Sequence, residues 1–293
     1  MSGEDKRSIA RILSRLTEVF ERAGIETPRL DAEVLLSFCL GKERAELYRD
    51  LTVELTDEQI GRVLELTGRR KRREPMAYIR GFREFWSLNF IVTPAVLVPR
   101  PETECLVEEV IGLRDSTREV KPRILDIGAG SGAVCIAVAS EWPDCEMVAT
   151  ELSAAALEVA RSNAMKLLGP GREITFVQGD LYEGVEGVFD IVCSNPPYIS
   201  GAEYETLARE VTLYEPREAL VAGPDGTEFH RRIADGAREK LKPGGWLVME
   251  MGAEQRAALT AILEETKIFD DIRFRADYAG LDRVVVARRK NLL

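Results

Sequence analysis

The plainest chemistry in the chain belongs to Asn195-Pro196-Pro197-Tyr198. It follows an apolar run, Phe189-Asp190-Ile191-Val192-Cys193, that reads as a strand, so the four residues fall on the loop leaving that strand's C-terminal end. The Asn195 side-chain oxygen can accept one hydrogen of a flat NH2 group, and the Pro196 carbonyl the other. Two prolines stiffen the backbone, so both acceptors are aimed before anything binds. Tyr198 offers an aromatic face for a planar amide or base. The pattern suits chemistry on a planar nitrogen, although the same residues would also make an ordinary proline-stiffened turn.

A second group of residues narrows the reading. Ile124-Leu125-Asp126-Ile127 reads as a short buried strand running into Gly128-Ala129-Gly130-Ser131-Gly132 and then an apolar helix from Ala133 to Ala139. Glycines at such a turn let the backbone approach a ligand and leave helix N–H groups facing it. Glu151 ends the next strand, Met147 to Thr150, where a carboxylate can accept from ribose hydroxyls. Asp180 follows a third strand, Ile174 to Val177, where it can accept from an adenine amino group. Each acid alone would pass for a solvated loop residue; at successive strand ends they describe a nucleoside pocket. The glycine turn also loosely fits a dinucleotide fingerprint, and no phosphate-loop signature occurs. A hydride-transfer enzyme has no evident use for an NH2 clamp, whereas a methyl-transferring enzyme does. S-adenosylmethionine is therefore the expected cofactor.

The elements that must position these residues can be traced along the chain. Its 293 residues leave room for one large and one small domain. Charged content of 31% and hydrophobic content of 45% are those of a soluble globular protein. A net charge of −10 argues against affinity resting on phosphate neutralisation, so no stable nucleic-acid binding is expected. Met1 to Arg7 is polar and reads as no secretory signal, and no apolar run reaches the length of a membrane span. Five scattered cysteines without a Cys-x-x-Cys pair suggest a reduced cytoplasmic compartment and no zinc site. Cys193 reads as core. His230, the only histidine, sits in a polar helical stretch and is expected at the surface or behind the site.

The first seventy or so residues read as a helical bundle. Ile9, Ile12, Leu13, Leu16, Val19, Phe20 and Ala23 recur at helical spacing before Gly24. Thr27-Pro28 opens a second helix whose apolar residues Leu30, Val34, Leu35 and Phe38 lead to Gly41, and a short segment around Ala45 to Tyr48 follows. Thr56-Asp57-Glu58-Gln59 has capping-box spacing before a helix with Ile60, Val63, Leu64 and Leu66 inside. The run Arg69-Arg70-Lys71-Arg72-Arg73 places cations at that helix's C-terminus; the alternative is contact with an acidic partner or RNA. Tyr78 to Val98 suggests a β-hairpin linking the domains. Strands at 123–127, 146–150, 174–178, 189–194 and 246–251 then alternate with helices, with Pro243-Gly244-Gly245 turning into the fifth. Two further strands between Asp271 and Arg288 close the edge of an open, mostly parallel sheet.

With these motifs in order, the chain resembles the release factor glutamine methyltransferases, the protein-(glutamine-N5) methyltransferases. The resemblance rests on Glu74-Pro75-Met76-Ala77-Tyr78-Ile79, Gly81, Glu84-Phe85 and Val98-Pro99-Arg100-Pro101-Glu102-Thr103-Glu104. It extends to Asp126–Gly132, Asn195–Ile199, Tyr214-Glu215-Pro216-Arg217-Glu218-Ala219-Leu220, Gly223 and Asp225-Gly226. It implies an α/β, class I (Rossmann-like) S-adenosylmethionine-dependent methyltransferase domain at 101–293. A helical substrate-recognition domain at 1–74 and a hairpin linker at 75–100 would precede it.

The implied activity is methylation of the glutamine side-chain nitrogen in the Gly-Gly-Gln motif of class I peptide chain release factors, by a cytoplasmic monomer without a metal. Carried over by position, Gly128, Gly130 and Gly132, with Ala129 and Ser131 between them, would line the donor's methionine end. Glu151 would hold its ribose, Asp180 and Leu181 its adenine, and Asn195 would border it. Asn195 and Pro196, followed by Pro197, would hold the glutamine amide, with Tyr198 beside it. Glu151 stands where many relatives carry Asp. The ribosomal-protein glutamine methyltransferases share the Asn-Pro-Pro-Tyr loop but differ at Pro101-Glu102-Thr103-Glu104. Nucleic-acid amino methyltransferases (adenine-N6 or guanine-N2) use a similar clamp, against which the acidic balance counts. A non-enzymatic binding module would need no pre-aimed acceptors.

Overall fold

The computed structural model describes residues 7–117 and 119–291; Met1 to Lys6, part of the segment read as carrying no secretory signal, lie outside them. The chain divides into two compact units, one running to Gly81 with Ala208–Tyr214 added, the other comprising Phe82–Leu207 and Glu215 onward.

The first unit is helical: α1 Ile9–Arg22, α2 Pro28–Leu40, α3 Arg44–Arg49, α4 Asp57–Lys71, α5 Met76–Arg80 and, from far along the chain, α10 Arg209–Tyr214. Thr56 and Gln59 form the reciprocal capping box that opens α4, and Gly41 closes α2 in the left-handed conformation. Ile9, Leu13, Leu16, Phe20, Leu35, Leu36, Val63 and Leu66 make its core. Leu64, expected on the inner face of its helix, points outward, and Leu30 of α2 is exposed as well. The buried face of α4 runs through Val63, Leu66, Thr67 and Arg70, which leaves Leu64 on the opposite side.

The basic run is largely absorbed by carboxylates. Arg69 pairs with Glu74, Arg70 with Asp31 at 2.6 Å and Glu210 at 3.0 Å, and Arg73 with Glu210 at 3.2 Å. These cations pair with buried Asp31 and half-buried Glu74 and Glu210, all of their own unit. Tyr78, expected to begin the hairpin segment, lies instead on the short helix α5.

The second unit holds the hairpin and the large sheet. Strands β1 Phe82–Phe85 and β2 Leu88–Ile91 pair antiparallel. Trp86 and Ser87 between them have φ of 52° and 55°, the left-handed values of a tight hairpin turn. Neither is a glycine, and Glu104 accepts from the Trp86 N–H at 2.8 Å, which holds the turn. Phe85 and Phe90 meet edge to face in the core of this unit. The hairpin is thus built into the second unit.

The sheet comprises β3 Arg123–Ile127, β4 Glu146–Glu151, β5 Ile174–Gln178, β6 Phe189–Ser194, β7 Leu241–Glu250, β8 Phe269–Ala276 and β9 Asp282–Arg289. Their order is β5-β4-β3-β6-β7-β9-β8, with only β9 antiparallel to its neighbours. Pro243-Gly244-Gly245, expected to precede the fifth strand, lies within β7, whose pairing with β6 shifts register between Phe189 and Ile191. The helices of this unit are α6 Glu104–Gly112, α7 Ala133–Glu141, α8 Ala154–Leu167, α9 Gly201–Tyr204, α11 Glu228–Lys240 and α12 Arg256–Glu265. Two apolar clusters cover the sheet. One is built around Ile124, Ile136, Met147 and Val248, the other around Leu125, Val192, Leu247 and Leu259. Strand order reverses at β3, flanked by β4 and β6, and such a switch point opens a crevice at the C-terminal strand ends. Among the described residues no helix is long and apolar enough to cross a membrane.

Candidate active site

A cavity of about 420 Å³ occupies that crevice, within the roughly 300–1,000 Å³ of small-molecule sites. Its walls include Gly128 to Ser131, Glu151, Asp180, Leu181 and Asn195 to Pro197, so the expected glycine turn, acids and clamp converge on one space. They arrive there because β3, β4, β5 and β6 are parallel neighbours and all release their loops at the same edge.

The glycines serve two ends. Gly128 and Gly130 have φ of 77° and 55°, and a Cβ on either would project into open space, away from any protein atom. Gly132, at φ 82°, packs closely: a Cβ there would stand 2.8 Å from Ile136 and 3.4 Å from Ala160. The first two therefore shape the cavity and the third lets α7 approach α8. Glu151 ties the turn down, its Oε2 accepting from Gly130 N–H at 2.8 Å and its Oε1 from Ser153 N–H at 2.9 Å. Asn163 of α8, fully buried, donates to Ser131 O and bonds both backbone groups of Ile91.

Asp126 is the residue behind this turn whose role its sequence context concealed. Its carboxylate is buried under the glycines and accepts from Cys135 N–H at 3.1 Å, in the first turn of α7. Burial raises its pKa to about 7 against the lowering effect of the Cys135 contacts, and the negative charge of Glu151 pushes the same way. Cys193 and Cys135 are buried beside it, and burial raises both thiols far above their ordinary value. Neither is a poised nucleophile.

Asp180, also on the cavity wall, is held by Arg232 at 2.5 Å through one oxygen. Leu181 takes a left-handed φ of 53° as the chain turns beneath it.

The clamp loop is braced from several directions. Asn195 donates through Nδ2 to Thr103 Oγ1 at 3.1 Å, which turns its Oδ1 the other way. Pro196 and Pro197 line the cavity. Tyr198 does not: its hydroxyl reaches back to Glu250 Oε1 at 3.1 Å, so it braces the loop from behind where an aromatic face toward the site was expected. The carbonyl of Tyr198 accepts from Gln255 Nε2 at 2.9 Å, and a Cβ on Gly226 would sit 2.4 Å from that carbonyl. Gly226 is thus required by close approach as well as by its φ of 74°. Ile199 pairs with Val221, and buried Glu215 accepts from Val98 N–H and Arg100 at 3.0 and 2.6 Å. Two distant motifs thereby form one wall. His230 is buried, not surface-exposed, and bonds the Glu250 carbonyl through Nε2 at 2.8 Å; burial lowers its pKa.

A seven-stranded sheet of this order with a strand-end cavity is the arrangement of a methyltransferase, and comparison with known proteins agrees. Residues 113–226 match the methyltransferase small domain model, and residues 11–81 match the PrmC N-terminal domain. The crystal structure of a methyltransferase from Pyrococcus furiosus covers 77% of this chain and 100% of its own, with a TM-score of 0.52 and 21% identity, a likeness of fold. The release factor glutamine methyltransferase of Rhodopirellula baltica is 39% identical over 97% of both chains. That of Salmonella typhimurium is 40% identical over 90% of this chain and 93% of its own. The chain belongs to the release factor glutamine methyltransferase family.

Proposed function

We propose that this chain transfers a methyl group from S-adenosylmethionine to the side-chain amide nitrogen of the glutamine in the Gly-Gly-Gln motif of class I release factors. The observation that carries this reading is Asn195: its amide NH2 is engaged by Thr103, so its oxygen is free for a substrate NH2. The donor fits the residues present. Gly128 and Gly130 leave a side-chain-free cradle, and Glu151 and Asp180 each have carboxylate capacity beyond the bonds described.

When bound, the sulfonium supplies an electrophilic methyl; the residues of this chain supply orientation. An amide nitrogen is a poor nucleophile because its lone pair is delocalised into the carbonyl. Asn195 Oδ1 and the Pro196 carbonyl, each accepting one N–H, draw electron density toward nitrogen and fix its lone pair. Such positioning lowers a barrier by up to roughly 7–11 kcal/mol in favourable systems. So held, the glutamine nitrogen would take the methyl that the bound donor supplies as the methyl–sulfur bond yields, and its surplus proton would pass to solvent without a dedicated base.

The helical first unit serves recognition of the factor, since among its described residues Asp31, Glu74 and Glu210 are spent on internal ion pairs and none lines the cavity. A chain beginning at Phe82, if folded by circular dichroism, should bind the donor yet show a raised KM for the intact factor; an unchanged KM refutes the recognition role. The site is cytoplasmic and the protein works as a monomer, which sedimentation checks. The activity itself is tested with labelled donor and a release factor, a ribosomal protein and a tRNA side by side. Label appearing in the factor's glutamine supports the reading; label in tRNA or ribosomal protein alone sinks it.

A further inference from the structure

Behind the clamp lies a set of buried polar groups, of which Thr103 also borders the cavity. Asn195 Nδ2 donates to Thr103 Oγ1, and an amide nitrogen can do nothing else. The Thr103 hydroxyl therefore acts as acceptor there, and its single proton must go elsewhere. Thr103 is 3% exposed, which leaves it little access to water. Glu250, at the end of β7 and 1% exposed, stands beside it; burial raises its pKa to about 7, against which the Thr103 and Tyr198 hydroxyls favour the ionised form. Glu250 Oε1 is taken by the Tyr198 hydroxyl, while Oε2 has no partner of its own. One homeless proton and one open acceptor lie side by side. Arg283, held by Asp277 and by the Met251 carbonyl, adds a positive charge nearby that further favours the carboxylate.

We propose that Glu250 is a positioning residue for methyl transfer, acting through the Thr103 hydroxyl to fix which way the Asn195 amide faces. The proposal rests on the glutamine-methylating reading above. Its logic is one of hydrogen-bond direction. In its ionised form Glu250 can only accept, so it claims the Thr103 proton; Thr103 must then accept from Asn195; Asn195 must turn its NH2 inward and its oxygen to the cavity. Without Glu250 the Thr103 hydroxyl could instead donate to Asn195 Oδ1. The amide would then be free to turn over and present N–H groups to the N–H groups of the substrate. Glu250 touches neither donor nor glutamine. It decides the polarity of the clamp.

The test uses the full chain with release factor and saturating donor. Thr103→Val keeps the volume and removes the relay; it should lower kcat about tenfold or more while donor Kd stays within twofold. Thr103→Ser keeps the hydroxyl and should recover most of the rate, which a purely steric role would not produce. Glu250→Leu, which removes both acceptors, should also lower kcat about tenfold with unchanged donor Kd. In an Asn195→Ala background neither Thr103→Val nor Glu250→Leu should cost anything further, because the residue they orient is gone. Full activity in Thr103→Val, a Ser variant as slow as Val, or an undiminished effect in the Asn195→Ala background overturns the inference. A wild-type chain that does not methylate release-factor glutamine overturns the functional reading, and this inference with it.

Discussion

Replacing Glu151 by alanine should weaken donor binding more than loss of a simple ribose contact would, because the carboxylate proposed for the ribose also tethers the glycine turn. Its oxygens already accept from Gly130 N–H at 2.8 Å and Ser153 N–H at 2.9 Å. A carboxylate has about four acceptor positions, so two remain for ribose hydroxyls. One charge-assisted hydrogen bond contributes roughly 1.5–3 kcal/mol. At about 1.4 kcal/mol per decade, losing even one raises the donor Kd about 10- to 140-fold. Release of Gly130 from its tether adds to this by letting the cradle move. The fold should survive, since Gly130 and Ser153 are half-buried and water can replace the lost acceptor at a cost of about 1 kcal/mol per bond. Glu151→Gln sharpens the test: its oxygen can keep one backbone N–H, but its NH2 cannot accept from the other or from ribose. Titration calorimetry with S-adenosylmethionine should therefore rank wild type tightest, Gln intermediate and Ala weakest, with the factor's KM little changed. Donor Kd within twofold of wild type in Glu151→Ala would remove this residue from the donor site.

Three further outcomes are expected. Asn195→Ala should bind donor normally and remain folded but lose at least tenfold in kcat, since it removes an acceptor that orients the reacting nitrogen; near-normal turnover would end the clamp mechanism. Gly226→Ala, forced against the Tyr198 carbonyl at a left-handed φ, should lower both kcat and Tm, and a variant with neither change would show that the loop yields freely. Asp126 has a folded-state pKa raised to about 7, so the folded state holds its proton more tightly than the unfolded chain. Its contribution to stability is full below the ordinary carboxylate range and is lost as pH rises toward 7. Asp126→Asn should accordingly raise Tm relative to wild type more at pH 8 than at pH 5; an equal difference at both would contradict the burial argument.

Much of this protein is legible in its sequence because the signals are local. Strand periods, the glycine turn, the capping box at Thr56 and the alternation of strands with helices depend on neighbours within a few residues. Parallel strands must then release their loops at one edge, so Gly128, Glu151, Asp180 and Asn195 could be placed together without coordinates. What lies behind them could not. Leu64 follows the helical pattern as well as Val63 does, and only packing decides which of them faces inward. His230 sits in a polar stretch yet is buried, because the face of α11 that carries it also carries Ile233, Ala234 and Ala237. The basic run Arg69 to Arg73 looks like a binding patch until Asp31 and Glu210, far away in sequence, come to meet it. Tyr198 reads as a stacking platform until Glu250, more than fifty residues on, captures its hydroxyl. Hydrogen-bond direction and burial are properties of neighbours brought together by the whole fold. Local pattern was enough to say which groups gather at one edge of the sheet; only the tertiary structure decided which groups hold them and which way they face.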